Sequence, residues 1–165
     1  MRYIVLGLLD GVITAIGLTS GVLIRGHVIT LNDAISIAIV VAAINGLTSF
    51  IAEYSHQRAG LRDLEYKVSL RSTGKILKSL VHRRALVSSL RSGAYMFSAS
   101  LAGASSILVP ASIRPPLGLY ALAATIIVLA FVLAKSPIEF AEWLAMIGAS
   151  ALVGLLVGLL FPLAV

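Results

Sequence analysis

Five apolar stretches constrain this chain more than anything else in it. They run over Tyr3–Ile24, Leu31–Tyr54, Gly93–Val109, Leu117–Ala134 and Trp143–Leu163. Each is close to the roughly 20 residues that a helix needs to cross a bilayer core of about 30 Å. The composition agrees: 59% of the 165 residues are hydrophobic, 12% are charged, and the mean hydropathy is +1.02. A soluble domain has about 45–50% apolar and about 25% charged residues. The expected fold class is therefore all-α: a polytopic membrane protein with five transmembrane helices in one transmembrane domain over residues 1–165. The first run exceeds the roughly 7–15 apolar residues of a signal peptide, and no A-x-A-like cleavage site follows it, so it is expected to be a retained helix. Cysteine is absent, which excludes disulfides and thiolate metal sites.

The connections punctuate these runs. "RGHVITLND" turns the first helix into the second. "PASIRPP" separates the third from the fourth with three prolines, which cannot continue a helix. "AKSPIEFAEW" opens the fifth, with Ser136 as N-cap, Pro137 in the first turn and Glu139 completing a capping box. The connection between the second and third spans differs in kind. Residues 55–92, and 58–91 in the stricter sense, carry nine of the thirteen Lys and Arg. Leu61, Leu64 and Val68 recur at helical spacing, and Ile76, Leu77, Leu80 and Val81 do so after a "STG" break. The pattern predicts two basic amphipathic helices, on the membrane surface or stacked under the bundle.

Charge then sets an orientation. With the N-terminus in the cytoplasm, Arg2, the connection and Lys135 place eleven cations inside, against Arg25 and Arg114 outside. This satisfies the positive-inside rule and puts the C-terminus outside. The net charge of +6 is thereby accounted for by cytoplasmic loops, and no nucleic-acid partner is expected.

Two carboxylates fall within the spans, Asp10 and Glu53. An acid inside a membrane is costly and points to function by default. At a rise of 1.5 Å per residue, the two sit within roughly one or two turns of the same depth. Gly7, Asp10, Thr14, Gly17 and Gly21 share one stripe of the first helix, and Gly7/Gly11 and Gly17/Gly21 have the GxxxG spacing of close helix packing. On the second helix Asn45, Ser49 and Glu53 follow at i, i+4 and i+8, with His56 one turn on. Carboxylates with amide and hydroxyl oxygens suit hard or borderline divalent cations. They also suit proton exchange, because a carboxylate that releases a cation takes up a proton. Plainer readings of the same residues stand beside this one. Asp10 pairs with His56 or an interfacial arginine, Glu53 is an interfacial anchor, and the polar ladder and glycines only hold helices together.

These motifs resemble the vacuolar iron transporter family. "GLLDGVITAIGLTSGV" resembles its first-helix signature, a "DG" followed by a polar, glycine-studded run. "NGLTSFIAEYSHQRA" resembles its second-helix pattern, with Ala52-Glu53-Tyr54 in place of a Gly-Glu-Tyr-like element and Arg58 after it. "GASSILVP" and "ALVGLLVGLLF" resemble its third and last helices. The resemblance implies a dimeric carrier that moves Fe²⁺, and often Mn²⁺, out of the cytosol in exchange for protons, with Asp10 and Glu53 matching the two acids of the path. Ser49 stands where the family often has methionine, and a hydroxyl is harder than a thioether, which favours Mn²⁺. The glutamate-rich metal-binding domain of plant and yeast-like members has no counterpart, since the connection offers only Asp63 and Glu65 among its cations.

The expectation is thus a short, prokaryotic-type divalent-metal transporter of the cell membrane, a homodimer without a permanently bound cofactor. Asp10, Glu53, Ser49 and Asn45 hold the ion, Thr14 and His56 flank the path, and Gly7, Gly11, Gly17 and Gly21 pack the helices. The alternative is a non-transporting scaffold or regulatory subunit that binds anionic lipid through its basic connection. An enzyme is not expected: His27, His56 and His82 are dispersed, and neither a nucleophile–base constellation, a phosphate loop nor HExxH is present.

Overall fold

The computed structural model describes residues 2–25, 27–68 and 80–160. These form five helices: α1 (Arg2–Ile24), α2 (Leu31–Val68), α3 (Leu80–Ile113), α4 (Pro115–Leu133) and α5 (Pro137–Leu160). All five are long and apolar enough to cross a membrane, so the chain has the architecture of a multi-pass membrane protein. Among the described residues there is no strand.

Successive helices run in opposite directions, and α1 and α3 lie side by side at the centre. Val12, Ala15 and Ile16 of α1 and Ala104, Ile107, Leu108 and Ala111 of α3 are fully buried. Ala34, Ala38 and Val41 of α2, Leu122 of α4 and Ala151 of α5 close around them. In hydrocarbon the association of helices rests on van der Waals contact, so small residues that let backbones approach take the place of a large apolar core. A Cβ on Gly11 would lie 2.2 Å from the carbonyl oxygen of Ser100, and one on Gly103 would lie 2.4 Å from that of Leu8. The α2–α3 seam is built the same way by Gly46 and Gly93, each with the other's backbone in reach.

The helix ends follow local chemistry. Thr30 and Asp33 cap α2: the Asp33 amide donates to Thr30 Oγ1 (3.2 Å), and the Thr30 hydroxyl donates to Asp33 Oδ2 (2.6 Å). At α5 the Glu139 amide donates to Ser136 Oγ (3.2 Å), while the Glu139 carboxylate accepts from the Lys135 amide (2.8 Å) rather than from that of Ser136. Pro110 does not end its helix, which continues to Ile113. The break falls at Arg114, whose extended backbone (φ −150°, ψ 131°) is what a residue preceding proline adopts.

Two boundaries differ from the sequence expectation by 14 and 13 residues. The second span ends at Tyr54 by hydropathy, but α2 runs on to Val68; the third starts at Gly93 by hydropathy, but α3 starts at Leu80. At 1.5 Å per residue these helices are about 57 and 51 Å long, well beyond a 30 Å hydrocarbon core. The described parts of the basic connection therefore continue α2 and α3. Tyr54, at the start of the α2 extension, stacks on Phe50 of its own helix at 6.1 Å and meets the His82 ring of α3 edge-on at 6.0 Å. The expected break at Ser72–Gly74, the apolar positions Ile76 and Leu77, residues 161–163 of the fifth span, and the side chains of Leu61, Leu64, Val68, Leu80 and Val81 lie outside the described residues.

Candidate functional site

Both α1 and α2 grip α3 more closely than they grip each other. Between them, at the end of the bundle that carries Arg2 and the basic extensions, lies a cleft of about 480 Å³. Its walls include Asp10 from α1 and Asn45, Ser49, Glu53 and His56 from α2. Five of the six polar residues singled out in the sequence thus line one cavity. The sixth, Thr14, is exposed one turn beyond Asp10 and is not among the lining residues.

The two acids are held differently. Asp10 is exposed toward the cleft, and among the described residues it has no hydrogen-bond or ion-pair partner. Glu53 is tied down at both oxygens: the Tyr3 hydroxyl donates to Oε2, and Gln57 Nε2 donates to Oε1 at 2.7 Å. The Gln57 bond is an i, i+4 contact within α2, whereas the Tyr3 bond joins α1 to α2 at the mouth of the cleft.

The neutral groups divide in the same way. Asn45 Nδ2 donates to Ser100 Oγ of α3 at 2.8 Å, which fixes the amide and leaves its oxygen out of that bond. Ser49 Oγ is buried and has no hydrogen-bond partner. A serine on a helix ordinarily bonds the carbonyl four residues back, as Ser89 does with Ala85 (2.9 Å), whereas the Ser49 hydroxyl is buried in the cleft wall with its donor and acceptor capacity unused.

Other lining residues escaped the sequence reading: Arg2, Tyr3, Thr48 and Met96. Tyr3 and Thr48 carry the helical signal, since Tyr3 lies seven residues before Asp10 and Thr48 three after Asn45. Met96 carries none, because it comes from α3. It is a buried residue on the α3 side of the cleft, whose α2 wall lacks a methionine.

Among the described residues no three of His, Cys, Asp and Glu come together closely enough to hold a metal ion. Among the described residues the cleft therefore offers a cation one unpaired carboxylate, Asp10, with neutral oxygens nearby. The glycines serve packing, and they serve two different neighbours. Gly7 and Gly11 press on α3, where Cβ atoms would fall 2.7 Å from Met96 O and 2.2 Å from Ser100 O. Gly17 faces α5 across Gly154 and Gly158. Gly21 is buried. The single stripe expected on the first helix is thus divided, with the glycines against neighbours and Asp10 and Thr14 on the open side. No family model matches the chain, and comparison with curated proteins and with solved structures finds no match.

Proposed function

We propose that this chain carries a divalent cation, Fe²⁺ or Mn²⁺, out of the cytosol across the cell membrane in exchange for protons, as a homodimer. One observation carries the reading: Asp10, Asn45, Ser49, Glu53 and His56 line a single cleft inside an apolar bundle. In this reading the N-terminus is cytoplasmic, so the cleft opens to the side from which the ion is taken. Asp10 supplies the charge that a bare cation needs. Ser49, with no partner of its own, and Asn45, held by Ser100, supply oxygens. Met96 adds a soft donor, which suits Fe²⁺ as well as Mn²⁺. When the ion leaves, a proton on Asp10 removes the cost of an uncompensated carboxylate. Glu53, braced by Tyr3 and Gln57, guards the mouth.

A second copy serves two needs of this site. It adds ligands to a set that a single chain leaves short, and it covers Asp10 and Thr14, which are exposed on a membrane-spanning helix. The test is flux. Proteoliposomes holding the protein are expected to move Mn²⁺ or Fe²⁺ against an imposed pH gradient, and Asp10→Asn is expected to lower the rate by at least tenfold. If Asp10→Asn and Glu53→Gln both transport as the parent does, the mechanism is wrong.

The second reading, a non-transporting scaffold or regulatory subunit that binds anionic lipid, is favoured by a separate cavity lined by Arg83, Arg84 and Arg91. A parent protein that moves no metal in any gradient yet retains acidic lipid would install it.

A further inference from the structure

The basic end of α3 carries two cavities in succession. The first, of about 420 Å³, is lined by Arg83, Arg84, Val87, Ser88 and Arg91. The second, of about 480 Å³, is an apolar groove between α2 and α3, floored by Gly46 and Gly93 and walled by Phe50, Leu90, Ala94 and Phe97. Residues 83–91 of the first lead directly into residues 90–97 of the second. At 100° per residue, Arg83, Val87, Leu90 and Ala94 fall on one continuous face of the helix. The arginine end lies where α3 leaves the apolar span, and the groove runs inward from there.

We propose that these two cavities together form a binding site for one anionic phospholipid, with its phosphate at Arg83, Arg84 and Arg91 and an acyl chain in the Gly46–Gly93 groove. Charge complementarity selects this occupant. None of the three arginines has an acidic partner among the described residues, and all three side chains are exposed. Guanidinium groups converge on phosphate oxygens with paired N–H donors, and Ser88 adds a hydroxyl. A free phosphate would use only the first cavity. Two copies meeting through this same face would set arginines against arginines. A lipid uses both cavities, and its length matches their arrangement: Arg83 to Phe97 spans about 21 Å of helix, close to one headgroup plus one leaflet. Gly46 and Gly93 make the groove possible, because their missing side chains let α2 and α3 touch at the floor while Phe50 and Phe97 stand as walls.

The site depends on the membrane placement of the helices and not on metal transport, so either reading can fail alone. The experiment is native mass spectrometry of the full chain in detergent, with dioleoyl phosphatidylglycerol, dioleoyl phosphatidylcholine or inorganic phosphate added. One retained phosphatidylglycerol per chain is expected, with phosphatidylcholine binding at least tenfold more weakly. Each cation near an anionic headgroup contributes about a fivefold gain, so Arg83→Gln/Arg84→Gln/Arg91→Gln is expected to weaken binding on the order of a hundredfold. These side chains are exposed, so the triple variant is expected to fold, as its melting temperature will report. Ala94→Phe, which fills the groove and leaves the arginines, is expected to weaken phosphatidylglycerol by about tenfold. Equal retention of the two lipids, a triple variant that binds as the parent, an Ala94→Phe variant that binds as the parent, or displacement of the lipid by millimolar phosphate would each overturn the proposal.

Discussion

Substituting Gly11 with alanine tests how the bundle is assembled. The added Cβ would stand 2.2 Å from the Ser100 carbonyl oxygen and 2.9 Å from its carbonyl carbon and Cα. Ordinary contact begins at 3.4 Å, so about 1.2 Å of separation is missing. All three atoms are backbone, and no side chain can rotate away. The helices α1 and α3 must therefore part along a seam that also holds Val12, Ala15, Ala104 and Leu108, all fully buried. Overpacking of this kind costs about 1–3 kcal/mol, and the backbone clash places it at the upper end. Alanine recovers up to about 1 kcal/mol of helix propensity. The net expectation is a loss of about 2 kcal/mol, roughly thirtyfold in the unfolding equilibrium. Denaturant titration in mixed micelles measures it, with Gly60→Ala as the control. Nothing lies within 4 Å of a Cβ at Gly60, so that variant is expected to match the parent or gain slightly. A Gly11→Ala protein as stable as Gly60→Ala would refute the close α1–α3 approach. Flux gives a second readout, because Ser100 also accepts from Asn45 at 2.8 Å, and displacing Ser100 moves a wall of the cleft.

Three further outcomes follow from the same geometry. Gly158→Ala places a Cβ 1.9 Å from Ser20 Oγ and 2.2 Å from Gly17 O, so it is expected to lower stability by about 2 kcal/mol in the same titration. Since this α1–α5 contact is remote from the cleft, reconstituted flux per folded protein is expected to stay at the parental rate. Asn45→Ala strips the donor from the buried Ser100 hydroxyl, and a loss of about 0.6–2 kcal/mol is expected, the range for hydrogen bonds between membrane helices. Ser136→Ala removes the acceptor for the Glu139 amide, and a cap of this kind is worth about 1 kcal/mol, read as faster amide exchange in the first turn of α5.

The number, order and apolar extent of the helices were legible because length and hydropathy alone decide whether a segment spans a bilayer. Their basic ends were not. Past Tyr54 and before Gly93 the residues are amphipathic, and that pattern fits a helix that continues as well as a new one. The prolines act unequally for a related reason. Pro110 removes one N–H from α3 and the helix absorbs it, whereas Pro115 forces the preceding Arg114 out of helical geometry. Gathering Asp10 with Asn45, Ser49, Glu53 and His56 needed only rise per residue and an antiparallel pair of helices. Met96 and Ser100 were hidden because the depth of a third helix is fixed by packing. That packing depends on Gly46, Gly93 and Gly103, whose partners are far away in sequence. The division of α1's stripe was hidden as well, since Gly7 and Asp10 lie within 60° of each other on the helical wheel, less than the width of one helix–helix contact.

The same packing explains why a cleft exists at all. If α1 and α2 met along their full length, Asp10 would be buried against the apolar middle of α2, whose cations Arg58, Arg62 and Lys67 lie further along the helix, and its ionisation would be costly. Instead each is fastened to α3 by glycines, Gly7 and Gly11 on one side and Gly46 on the other. α3 thus acts as a spacer that keeps the walls apart. Small residues at the seams make those walls stiff, because backbone pressed on backbone has no rotamers to exchange. The polar side chains are then fixed from behind, Asn45 by Ser100 and Glu53 by Gln57, while Asp10, exposed to the cleft, and the buried hydroxyl of Ser49 have no hydrogen-bond partner among the described residues. For the proposed cation this arrangement is economical in reorganisation. The groups that need positioning are already held, and those left unpaired are the ones an incoming ion or proton would satisfy. The hydrogen bond from Tyr3 to Glu53 crosses the cleft at its mouth, where parting α1 from α2 would break it and leave both glycine seams on α3 intact.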